Sequence, residues 1–170
     1  MHESSFLEMK QFKDKYLDKN MELNILDIGS YDSNEKPFNY GILFNESNWY
    51  YNGMDIRNGP NVDIVVSNIY DWIEIDNNSF DVVVSGQAFE HMEFFWKAIL
   101  EIERILKPEG LCCIIAPSTG PIHRNPYDCF RFTSEGMSAM GKYAGLTVLD
   151  NYTINSPLWN DSVLICKNSR

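Results

Sequence analysis

The chain has 170 residues, 44% hydrophobic and 14% aromatic, which suits one domain with a sizeable core. Its formal net charge is −10, which opposes a phosphate backbone or an anionic bilayer and argues against nucleic acid and membranes as partners. No apolar run approaches the roughly 18 residues that a membrane span needs.

Residues 5–18 have the pattern of an amphipathic helix, with Ser5 and Glu8 in capping-box spacing and Phe6, Met9, Phe12, Tyr16 and Leu17 on one stripe. The opening MHESSFLEMKQF has no basic region leading into an apolar run, so it does not read as a secretory signal. Short apolar runs then predict strands at 23–28, 49–56, 62–66, 80–85 and 111–117, with two more at 146–154 and 162–167. Several are apolar almost throughout, as in a parallel sheet covered on both faces. A long helix is expected over 88–107, stopped by Pro108 and Gly110. A second is expected over 134–144, with Thr133 as N-cap, a Phe132–Met137 staple and Gly145 at C′.

Strands alternating with helices predict an α/β fold: one doubly wound, Rossmann-like, seven-stranded and mostly parallel sheet with helices on both faces. The expected organisation is a single domain over 1–170, an N-terminal helix within 1–20 followed by an α/β core over 22–167. Cys112 and Cys113, adjacent on a strand, should face opposite sides of the sheet. With Cys129 and Cys166 they form no CxxC pair, so neither a disulfide framework nor a metal site is expected. Reduced thiols fit a cytoplasmic location.

Parallel strands put their carboxyl ends on one edge, where such sheets bind ligands. Asp27 and Gly29 end the first strand, and Ser30 follows. Asp55 ends the second, 26 residues past Gly29, near the spacing at which an acidic side chain meets a ribose; a solvated strand-end aspartate reads equally well. The loop after Gly29 lacks the G-x-G-x-x-G glycines that a dinucleotide pyrophosphate wants, which disfavours a nucleotide-dependent oxidoreductase. "PSTGPIHRNPYDCFRFT" follows the fifth strand and gathers His123, Arg124, Tyr127, Asp128 and Arg131. There His123 suits a general base, Asp128 its orienting partner or its replacement, and Arg124 and Arg131 a grip on an anionic group. The plainer alternative is a loop pinned by an Asp128–Arg131 contact. His91, at the start of the long helix, is a second candidate base or a structural hydrogen-bonding residue.

"ILDIGS", "YNGMDI", "SFDVVVSGQAFEHM" and "EIERILKPEGLCCIIAPS" together resemble the class I S-adenosylmethionine-dependent methyltransferases, over about residues 22–150. The nearest likeness is to the small bacterial type with a Phe-Glu-His turn after the fourth strand. The resemblance implies S-adenosylmethionine as cofactor. Asp27, Gly29 and Ser30 would border its methionine and ribose portions, and Asp55 and Ile56 would meet the ribose. Asn68 and Ile69 would meet the adenine, and Ser85 and Gly86 would meet the methionine ammonium. It further implies methyl transfer to a small polar acceptor, O-methylation of a sugar or related metabolite, with Tyr127 beside the two arginines at the substrate. The alternative is a methyltransferase-like partner subunit without turnover. So short a chain leaves the acceptor pocket open or completed by a second copy in a homodimer.

Overall fold

The computed structural model describes residues 3–34, 37–155 and 159–170. Residues 35 and 36 of the glycine-poor loop lie outside them. The elements in chain order are α1 (Glu3–Tyr16), β1 (Leu23–Ile28), β2 (Trp49–Asp55), β3 (Ile64–Val65), β4 (Phe80–Gly86), α2 (Phe95–Ile105), β5 (Leu106–Pro117), α3 (Ser134–Tyr143), β6 (Thr147–Ile154) and β7 (Asp161–Lys167). They build one seven-stranded sheet in the order β3-β2-β1-β4-β5-β7-β6. The first five strands of that order run parallel, and β7 inserts antiparallel between β5 and β6. The fold class expected from the sequence is the one observed.

Each face carries its own core. On one face α2 and α3 pack on the sheet, with Ala98, Ile99, Ile102 and Ile105 of α2 fully buried at the spacing of one helical stripe. Shortening Ile102 to alanine would cost about 2–5 kcal/mol. On the other face Met9 and Phe12 of α1 cover Ile25, Val82, Val84 and Ile115. Cys112 belongs to the first core and Cys113 to the second, as alternation along a strand demands.

Three local expectations need correction. Ser5 does not cap α1: the helix already runs at Glu3, and the buried Ser5 hydroxyl pairs with the Tyr40 hydroxyl at 2.7 Å. The long helix does not begin at residue 88. A 3-10 turn, Phe89–His91, comes first, and α2 starts only at Phe95. Nor does α2 reach 107, because β5 begins at Leu106 and its register jumps between the pairs Phe80–Leu106 and Val82–Leu111. The second helix stands as read: Thr133 Oγ1 accepts the Gly136 N–H at 3.1 Å, and Gly145 adopts φ +76° past the helix end.

Among the described residues no α-helix follows β1; the link to β2 holds only a 3-10 turn, Tyr40–Ile42. The carboxyl edge therefore presents no helix N-terminus there for a phosphate. No described helix is long and apolar enough to cross a membrane.

Candidate active site

Register brings the strand ends level. Asp27 sits beside Gly53 and Val84, and Ile28 beside Met54 and Ser85. Above these ends opens a cavity of about 520 Å³. Of the cofactor candidates, Asp27, Gly29, Ser30, Asp55, Ile56, Ile69 and Gly86 line it. His91 and Tyr127 line it too, together with Asn125 and Pro126. Asn68, Ser85, His123, Asp128, Arg124 and Arg131 lie outside the lining.

Two glycines make room. Gly29 has φ +75°, and a Cβ there would stand 2.6 Å from the Ala88 Cβ. A Cβ on Gly86 would meet the Tyr40 hydroxyl at 1.9 Å. Beside Gly86, Ser85 is fully buried and donates to the Ile28 carbonyl at 3.0 Å, tying β4 to the end of β1.

Asp27 is 4% exposed. Desolvation by burial pushes its carboxyl up to about 7, and the charge of Asp55 adds to that rise. The Tyr51 hydroxyl opposes it by donating to Oδ2 at 2.6 Å. Asn61 links the same group to the loop: its Nδ2 donates to Tyr51 Oη and to the Ser30 carbonyl, both at 2.9 Å, while Ser30 Oγ donates to the Asn61 carbonyl at 2.7 Å.

Asp55 reaches the cavity with its side chain 10% exposed. Its Oδ1 accepts the Arg57 N–H at 2.9 Å, and Oδ2 receives only a long 3.4 Å approach from the Tyr31 N–H. A carboxylate has about four acceptor sites, so Asp55 keeps capacity for further donors. Arg57 lies over the Tyr31 ring at 4.4 Å.

The glycine-poor loop is held by a residue the sequence reading passed over. Asp32 accepts the N–H groups of Asn34 and Phe38 and the side-chain amides of Asn34 and Asn39, at 2.6–3.0 Å. Those bonds hold its carboxyl below the usual range against the cost of burial. Asp-x-Asn is a recognisable local turn pattern and was the available signal. Asn68 spends its Oδ1 on the Tyr70 N–H at 2.9 Å in a similar turn, so Ile69 with Val66 and Tyr70, rather than Asn68, forms that wall.

A second cluster meets the cavity through His91. Arg131 clamps both oxygens of Asp128, at 2.5 and 2.8 Å, and holds its carboxyl well below the ordinary range. The plainer reading of this loop is therefore realised as an actual contact. Asp128 also accepts the His123 N–H at 2.7 Å and lies 3.6 Å from His123 Nδ1. The rings of His123 and His91 meet edge to face at 4.9 Å. His91 Nδ1 stands 2.5 Å from the Tyr127 carbonyl, and burial holds the imidazole below its ordinary value. Both rings turn an Nε2 toward Glu90, which is fully buried; desolvation pushes its carboxyl up to about 8. Arg124 is exposed. The expectation of no metal site did not foresee this grouping of Glu90, His91 and His123. His91 and His123 are 32 positions apart in sequence, and Glu90 is hidden by tertiary packing alone.

The family model of the methyltransferase domain matches residues 43–114. No curated protein matches the chain in sequence. Among solved structures, a 1,6-didemethyltoxoflavin-N1-methyltransferase from Burkholderia thailandensis, with 1,6-didemethyltoxoflavin and S-adenosylhomocysteine bound, superposes with TM-score 0.69 at 14% identity. That match covers 98% of this chain and 85% of the other. A SAM-dependent methyltransferase from Methanosarcina mazei gives 0.69 at 14% identity, over 91% and 95%. The [4+2]-cyclase SpnF gives 0.70 at 13% identity, over 94% and 79%. At such identities the superpositions speak for the fold. The chain thus carries a match to the methyltransferase domain over residues 43–114 and shares its fold with S-adenosylmethionine-dependent methyltransferases.

Proposed function

We propose that this chain is an S-adenosylmethionine-dependent methyltransferase acting on a small polar acceptor, at the oxygen of a sugar or related metabolite. One observation carries the reading: the cavity joins a strand-end wall suited to a nucleoside to a wall bearing a histidine and a tyrosine. The residues fit the cofactor. Asp55 has acceptor capacity for a vicinal diol, Gly29 and Gly86 let Ala88 and Tyr40 pack against the strand ends, and Ile69 offers an apolar surface. Asp27 is a desolvated carboxyl that a neighbouring cation would return to its charged form. When bound, the sulfonium supplies an electrophilic methyl group, and no pyrophosphate has to be cradled.

The chain's own contribution is alignment and exclusion of water. Tyr127 and His91 border the acceptor side. His123, the first choice from sequence, stands behind His91 and outside the lining, oriented by Asp128. The acceptor is thus activated by the cluster around Glu90 rather than by His123 reaching the substrate alone. Arg131, committed to Asp128, is reassigned to holding that loop. We read the chain as one cytoplasmic catalytic domain with no nucleic-acid partner, its acceptor side open or closed by a second copy.

The test is thermal. S-adenosylhomocysteine at about a hundred times its Kd should stabilise the chain by about 2.7 kcal/mol, and NAD should not. Asp55→Ala should abolish that shift. Incubation with hydroxyl and amine acceptors then reads transfer. No shift with the wild type ends the cofactor reading, whereas binding with no acceptor ever methylated favours the partner-subunit reading.

A further inference from the structure

Glu90 is a charge-bearing group the fold leaves unanswered. Its side chain is 0% exposed, and neither carboxyl oxygen has a hydrogen-bond partner among the described residues. Such isolation is costly, and buried polar atoms are nearly always paired. The turn that carries it is fixed, because the Glu90 carbonyl accepts the N–H groups of Cys129 and Phe130 at 2.7 and 3.2 Å. Facing Oε1 are His91 Nε2 at 3.5 Å and His123 Nε2 at 3.8 Å. One ligand atom from each of the three residues lies within 4.8 Å of the other two.

The first two separations are too long for hydrogen bonds. They are close to the edge, about 3.4 Å, of a tetrahedron whose corners stand about 2.1 Å from a central ion. The outer contacts have the matching form. The Tyr127 carbonyl can only accept, so the neutral His91 ring carries its proton on Nδ1 and aims an Nε2 lone pair inward. Asp128, fixed in turn by Arg131, holds His123 through the backbone N–H at 2.7 Å, while His123 Nδ1, 3.6 Å from Oδ2, has no hydrogen-bond partner among the described residues. A carbonyl behind the ring, as at His91, is one way metal-binding imidazoles are oriented.

We propose that Glu90, His91 and His123 bind one divalent transition-metal ion. Two imidazoles and one carboxylate suit zinc and its first-row neighbours over magnesium or calcium, which prefer all-oxygen shells. Three protein ligands leave coordination positions open. His91 also lines the cavity, so the ion stands at its acceptor wall. There it occupies Nε2 of both rings, and an acceptor is polarised by the ion's charge rather than deprotonated by a free imidazole. Metal binding itself does not depend on which acceptor is used, or on the cofactor.

The test uses the tag-free chain, stripped with a chelator and titrated with zinc chloride and cobalt chloride. One equivalent should bind by calorimetry, cobalt should develop visible absorption, and Tm should rise by about 5–10 °C at a hundredfold excess over Kd. Glu90→Gln, which keeps the side-chain shape, should lower metal affinity at least about tenfold, and Asp128→Asn about 10–100-fold. Asp55→Ala should leave metal binding unchanged while removing the S-adenosylhomocysteine shift, which separates this proposal from the cofactor reading. Wild-type chain that takes up no stoichiometric metal overturns the proposal, as does unchanged binding in Glu90→Gln. A metal-free Glu90→Gln chain that melts well below wild type would assign the carboxyl a purely structural job and overturn it too.

Discussion

The loop after β1, which lines the cavity, and the cluster around Glu90, which meets the cavity only through His91, treat buried charge in opposite ways. In the first, Asp32 is 7% exposed and receives four hydrogen bonds from Asn34, Phe38 and Asn39. In the second, Glu90 is fully buried and receives none on its carboxyl from the described residues. A carboxylate that gathers its own donors makes a finished scaffold. One that faces two imidazole nitrogens across more than hydrogen-bonding distance marks a place for something else. The contrast accounts for how a glycine-poor loop is ordered: Asp32 supplies the hydrogen-bond acceptors that hold it.

The largest test of that contrast is Asp32→Ala. It should leave several donors of the loop unpaired and cost about 3–5 kcal/mol in urea unfolding. S-adenosylhomocysteine binding should weaken with it, since Ser30 and Tyr31 belong to the same loop. A loss under about 1 kcal/mol would mean that the loop is held by something other than this carboxylate.

Asp27 lies between the two extremes, buried but with one good donor. Its pKa in the folded chain is raised to about 7, whereas the unfolded value is about 3.9. The folded state therefore binds the extra proton between those values, and stability must fall as pH rises from about 4 through about 7. Tyr51, Asp55 and Tyr40 are the titratable groups that face it. The fall is on the order of 2–4 kcal/mol from this group alone. Asp27→Asn keeps an acceptor for the Tyr51 hydroxyl, so it should flatten this part of the profile. Urea midpoints across pH 4.5–8 for both chains decide it; parallel profiles would remove Asp27 as the cause.

Much of this was legible in the sequence, and the physics says which part. Apolar runs and parallel strands placed Asp27, Gly29 and Asp55 on one edge, because strand direction alone decides where their carboxyl ends emerge. The start of α2 was not legible: apolar spacing continues through 89–92, but those residues form a 3-10 turn whose carbonyl at Glu90 anchors Cys129 and Phe130. The role of Glu90 depends on that long-range closure, which no local pattern encodes. His123 was a candidate base from the sequence, but its place outside the cavity lining was not legible, since its ring packs against Trp159 at 5.0 Å.

The smallest effect should come from Arg131→Lys. The guanidinium spans both Asp128 oxygens and the Pro121 carbonyl, a fork that an ammonium does not reproduce. Yet Arg131 is 24% exposed, so water and salt screen what is lost, and about 1 kcal/mol is the expected cost in urea unfolding. The clamp orients His123 through Asp128 and does not hold up the fold, so the same substitution should weaken zinc binding more than it lowers Tm. Should Arg131→Lys instead destabilise the chain as much as Asp32→Ala, both regions would be scaffolds of one kind, and the unpaired Glu90 would lose its meaning as a vacant ligand.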